Sequence, residues 1–143
     1  QRRKKARLVD PLQYEMSIQA EDLAGYVPAF GWEAGPPSDK QAAALEKLGI
    51  LPDAVESAGK ASLLLDRLHK RRDEGLTTPK QIRCLEKYGV QHVGTWSFEQ
   101  AKHMIDRIAA VGWRGVPKGV NPRTYIPPVE PPAAPDSPFN FGW

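Results

Sequence analysis

Residues 37–50, PSDKQAAALEKLGI, and residues 77–90, TTPKQIRCLEKYGV, are two versions of one phrase. Lys40-Gln41, Leu45-Glu46-Lys47 and Gly49 return as Lys80-Gln81, Leu85-Glu86-Lys87 and Gly89, forty positions later each time. Each phrase opens on a helix-starting signal: Ser38 before Asp39, and Thr78 before Pro79. A Ser or Thr oxygen accepts from the free amides of a first turn, and Pro fits the first helical position. Gly49 and Gly89 then stand where a left-handed residue ends a helix.

Working outward, the linkers LPDAVESAGK and QHVGTWSFEQ differ, and then the match resumes. Ala61, Leu64, Leu65 and Leu68 fall at i, i+3, i+4 and i+7, the spacing of one buried helical face. Ala101, Met104, Ile105 and Ile108 repeat that face, and Asp66-Arg67 becomes Asp106-Arg107, without a gap in the register. The pattern predicts an all-α fold of two pseudo-repeated helical hairpins with a period of 40 residues. A lone hairpin of this size is marginal as a folding unit. The two are therefore expected to share one core of Leu45, Leu64, Leu65, Leu68, Leu85, Met104, Ile105 and Ile108.

Four segments follow from this reading. Residues 1–37 form a basic N-terminal segment and an aromatic strap, 38–76 the first hairpin, 77–114 the second, and 115–143 a Pro-rich tail. Within the first segment a helix is expected over roughly 12–24. The stretch YVPAFGWEAGPP follows, with Phe30 and Trp32 as its expected anchors. Eight of the 29 residues from 115 onward are proline, which predicts an extended, disordered tail. Phe139, Phe141 and Trp143 alternate within it, and in an extended chain they project to one side as a partner-binding motif.

The formal charge of +3 is uneven: QRRKKAR at residues 1–7 holds five basic residues, and the remaining 136 sum to −2. Nucleic-acid binding must therefore be argued from local patches. The single cysteine, Cys84, removes intrachain disulfides and Cys-rich zinc sites. Together with the absence of a signal-peptide pattern or a long apolar run, it points to a cytoplasmic protein that does not span a membrane. An opening Gln in place of Met reads as a fragment or processed product.

No catalytic constellation emerges. SAGKAS at 57–62 lacks the Gly and the hydroxyl residue of a phosphate-binding loop, because Ala54 and Ala61 occupy those places. His69, His92 and His103 share no ligand spacing with one another or with Cys84. Neither an enzyme activity of its own, nor a metal, nor any cofactor is expected.

The run Gly59-Lys60-Ala61-Ser62-Leu63-Leu64-Leu65-Asp66-Arg67-Leu68, after a short helix and a turn, resembles the SAP-type DNA-binding helical hairpin. That resemblance implies that the turn and the start of the second helix approach a phosphate backbone, where free amides and a Lys favour an anion. The candidate nucleic-acid contacts are Gly59, Lys60, Arg67, Lys70, Arg71 and Arg72, with Lys40 and Lys80 on the first helices. The second copy departs from the pattern, since Glu99 and Gln100 stand at the positions of Gly59 and Lys60. Packing alone also explains both hairpins.

The longer phrases KARLVDPLQYEMSIQAEDLA, FGWEAGPPSDKQ and LTTPKQIRCLEKYGVQHVGTWSFEQAKHMIDRIAAVGW together resemble the C-terminal end of bacterial and mobile-element DEAD/DEAH-type, superfamily II helicase-like proteins. The resemblance covers residues 4 to about 125. It implies a parent ATP-dependent helicase whose nucleotide-binding, hydrolytic core lies upstream, and none of that core's motifs occurs in this chain. The expected function is a monomeric, non-catalytic accessory domain that helps the helicase core of the same polypeptide hold nucleic acid, DNA rather than RNA. The alternative is a protein–protein interaction module that docks the helicase to a partner.

Overall fold

A computed structural model describes residues 7–28 and 31–128. Among them it contains seven α-helices and no strand: α1 Pro11–Ser17, α2 Glu21–Ala24, α3 Gly31–Ala34, α4 Asp39–Lys47, α5 Ala58–Asp73, α6 Pro79–Lys87 and α7 Phe98–Ala110. The all-α expectation holds. The chain divides into two compact units, Gln1–Glu74 and Gly75–Trp143, with one hairpin in each.

In the first unit, α4 and α5 form the hairpin. Ser38 Oγ accepts from the Gln41 amide at 3.1 Å, and Gln41 Oε1 accepts from the Ser38 amide at 2.9 Å, so two orphan donors of the helix start are satisfied reciprocally. Gly49, at φ 93°, ends the helix in the left-handed region, as its position predicted. A 3₁₀ turn at Pro52–Ala54 leads into α5, whose N-cap is Ser57. Leu45, Ile50, Ala61 and Leu64 are fully enclosed.

The hairpin's apolar side is covered by the N-terminal segment. Val9 makes a parallel bridge with Ile50: its amide donates to the Gly49 carbonyl at 2.7 Å, and its carbonyl accepts from Leu51 at 2.8 Å. Tyr14 and Leu23 are buried. The helix expected over 12–24 is two helices, because Gln19 turns left-handed at φ 57° between α1 and α2. Trp32 is 65% exposed and does not anchor the strap, while Phe30 lies outside the described residues.

The second unit builds the same local bonds at the same offset. Thr78 and Gln81 form the capping box of α6, and Gly89 at φ 83° ends it. Gln81 Nε2 donates to the Phe98 carbonyl at 3.2 Å, as Gln41 Nε2 does to Ala58 at 3.0 Å. Leu85, Val90, Val93, Trp96, Met104, Ile105 and Ile108 form the buried set, with Ala101 beneath them.

This unit's cover comes from its C-terminal side. Tyr88 donates to the Trp113 carbonyl at 3.1 Å, and the Gln91 amide donates to Pro122 at 3.1 Å. The Tyr125 ring meets Trp96 edge-on at 5.8 Å, and Gln100 Nε2 reaches the Pro128 carbonyl at 2.8 Å. The tail is therefore bound up to Pro128, contrary to the expectation of disorder from residue 115. Proline lacks an amide donor but keeps its carbonyl, and here those carbonyls accept from the hairpin. Phe139, Phe141 and Trp143 lie outside the described residues.

Each hairpin is covered by a segment of its own unit. Of the eight expected core residues, all are buried except Leu65, which is half-exposed.

Candidate nucleic-acid interface

The phosphate contact expected at Gly59-Lys60 is not accessible. Lys60 occupies the third position of α5, where the Ser57 hydroxyl accepts from its backbone amide at 3.2 Å. Its side chain turns inward, 8% of the residue being exposed. Its ammonium sits 3.0 Å from Glu15 Oε1 and also donates to the Leu23 carbonyl. Gly59 is buried against the strap, where a Cβ would stand 2.8 Å from Glu33 Cβ and would collide with the Tyr26 hydroxyl. These two residues clamp the N-terminal cover, and the SAP-like surface is filled by the chain's own strap.

Two of the expected arginines are committed as well. Arg71 is 8% exposed, with its guanidinium beside the buried Tyr14 hydroxyl. Burial pushes the Tyr14 pKa up, and Arg71 pulls in the opposite direction. Arg67 holds Asp22 through Nη2 at 2.6 Å. Of the expected contacts in the first unit, Lys40, Lys70 and Arg72 are exposed.

In the second unit Lys80 is exposed, and the structure adds neighbours that the sequence reading passed over. Arg83 and Lys87 lie three and seven residues further along α6, are exposed, and share its solvent face with Lys80. Ile82 and Leu85 are buried in the unit's core. Their spacing is present in TTPKQIRCLEKYGV. Arg114, Lys118 and Arg123 are exposed on the C-terminal cover.

The formal charge is divided unevenly between the two units. Residues 75–143 hold eight basic and five acidic residues, a net +3, whereas residues 1–74 hold twelve of each, a net of zero. The first unit, which carried most of the expected contacts, has no net charge. The positive surplus lies in the second.

Other chemistry has little support in the geometry. Cys84 is half-buried on α6, and burial pushes its thiol pKa up, outweighing an opposing pull from Lys87, so it lacks the lowered pKa of a nucleophilic cysteine. Among the described residues no cluster of three or more His, Cys, Asp or Glu side chains has the arrangement of a metal site. No helix among them is long and apolar enough to cross a membrane. No family model, characterised protein or solved structure matches this chain.

Proposed function

We propose that this chain is a non-catalytic nucleic-acid-binding module, for DNA rather than RNA, and that its contact surface lies on the second unit. In the setting that the sequence resemblance implies, it is a monomeric, cytoplasmic appendage that holds the strand for a helicase-like ATPase core of the same polypeptide. The observation that carries this reading is the exposed cationic face of Lys80, Arg83 and Lys87 on a unit of net charge +3. Lys60 has no part in it.

A face with a few phosphate contacts gives weak, largely sequence-independent binding, with Kd of roughly 10⁻⁴–10⁻⁶ M that weakens as salt rises. Fluorescence anisotropy with labelled DNA at low and moderate salt tests it. The triple variant Lys80→Glu, Arg83→Glu, Lys87→Glu should lose binding, whereas Lys40→Glu, Lys70→Glu, Arg72→Glu in the first unit should change it little. Absence of binding at low salt in the unaltered chain would hand the function to the interaction-module reading. That reading draws on Leu12, Met16 and Trp32, which stand 57%, 64% and 65% exposed in the first unit.

A further inference from the structure

We infer that the cavity beneath the second unit's C-terminal cover is a stacking site for an unpaired base, which makes single-stranded nucleic acid the preferred ligand. This inference rests on the nucleic-acid reading above and narrows it. The cavity measures about 610 Å³ and is lined by His92, Trp96, Gln100, Arg123, Tyr125 and Ile126, among others. That volume is within the range that takes a small ligand, and a base with its sugar is one.

The lining has one aromatic wall. Trp96 is 3% exposed and fixed in the core, and Tyr125 leans on it at 64° between ring planes. Tyr125 remains half-buried, and Ile126 is 85% exposed beside it. An isoleucine so exposed next to an aromatic pair gives a base apolar surface to cover.

Two of the lining's polar groups that could read a base edge are already engaged. The Thr95 hydroxyl donates to the His92 carbonyl at 2.8 Å. The Gln100 amide oxygen accepts from the Ser97 amide at 2.8 Å, and its nitrogen donates to Pro128. Beside them lies ring surface with a cation at its edge, from the exposed Arg123. Every base has a π face, so such a site stacks bases without regard to sequence. In a duplex the bases are paired and stacked on one another, so only a single strand delivers one to this wall.

The test compares three labelled oligonucleotides of equal length on the full chain: a single strand, the same strand with abasic positions, and a duplex. Stacking by one base is worth a factor of about 5–150. The intact strand should therefore bind about tenfold tighter than the abasic strand or the duplex. Tyr125→Ala should remove that advantage and leave abasic and duplex binding as they were. Equal affinity for intact and abasic strands would overturn the stacking site while leaving the basic-face reading standing. An abasic penalty that survives Tyr125→Ala would place the base elsewhere and overturn this cavity. Failure of all three oligonucleotides to bind would remove both readings. Should Tyr125→Ala unfold the unit, the abasic comparison on the unaltered chain still decides whether a base is stacked, and Ile126→Ala decides whether it is here: that variant should weaken the intact strand alone.

Discussion

Lys60 and Glu15 face each other at 3.0 Å with side chains only 10% and 3% exposed, and this pair fixes the N-terminal cover of the first unit onto its hairpin. The ammonium also donates to the Leu23 carbonyl, so one side chain holds α1 and the end of α2 together. The equivalent position of the second unit is Gln100, which reaches Pro128 of its own cover. In both units the third residue of the hairpin's second helix ties down a flanking segment. Only in the first is the tie ionic.

Breaking that pair from one side should be costly. Lys60→Met leaves the Glu15 carboxylate buried without its counter-charge, at an expected loss of about 3–5 kcal/mol. The double variant Glu15→Leu, Lys60→Met removes both charges and should recover most of it. Urea denaturation of the three chains measures the difference. A double variant no more stable than Lys60→Met would show that shape, not charge, fixes the cover.

Gly59→Ala tests the same contact sterically. Its Cβ would lie 2.8 Å from Glu33 Cβ, against a strap that cannot retreat without losing the Ala58 amide's 2.7 Å bond to the Gly35 carbonyl. Overpacking of this kind costs typically about 1–3 kcal/mol. Ala is otherwise the better helix former, so a neutral or stabilising result in thermal unfolding would mean that the strap yields freely.

Much of this fold was written in periodicities, which survive because they depend on neighbours along the chain. Caps at Ser38 and Thr78, stops at Gly49 and Gly89 and the faces from Leu64 and Met104 are all local. What covers each face was not legible, because it depends on segments brought back from a distance by single bonds, such as Val9 to Gly49 or Gln91 to Pro122. Lys60 was misread for the same reason. A lysine after a Gly at a helix start resembles a phosphate ligand until Glu15, forty-five residues earlier, is known to lie against it. The basic face of Lys80, Arg83 and Lys87 was legible and was overlooked.

The two glutamines that brace the hairpins should differ in weight. Gln81 is fully buried, with Oε1 accepting from Thr78 at 3.2 Å and Nε2 donating to Phe98 at 3.2 Å. Gln41 makes the corresponding bonds but is only half-buried, so water can replace part of what it supplies. Gln81→Ala should cost about 1–3 kcal/mol, and Gln41→Ala about 0.5–1.5 kcal/mol. Amide hydrogen exchange at Leu85 and at Leu45 reads each unit separately. If Gln41→Ala proved the more damaging, burial would not be what sets the value of these bonds.

The last prediction concerns alkaline pH. The Tyr26 hydroxyl donates to the Glu33 carboxylate, which favours the protonated phenol and pushes its pKa up to about 12 from the ordinary 10.0. A folded-state pKa raised above the unfolded value contributes stability that is fully present below the unfolded pKa and is lost as pH rises through the folded one. Tyr26 should therefore support the α3–α5 contact undiminished at neutral pH, and lose that support between about pH 10 and 12. Buried Tyr14, whose pKa is also raised, adds a loss of the same sign. Ultraviolet titration of tyrosinate should show one late-ionising group that moves toward the ordinary range in Glu33→Gln, since a neutral amide exerts no coulombic hold on the phenol. The same substitution should flatten part of the fall in stability above pH 10. An unchanged titration in Glu33→Gln would mean that the carboxylate's charge is not what keeps Tyr26 protonated.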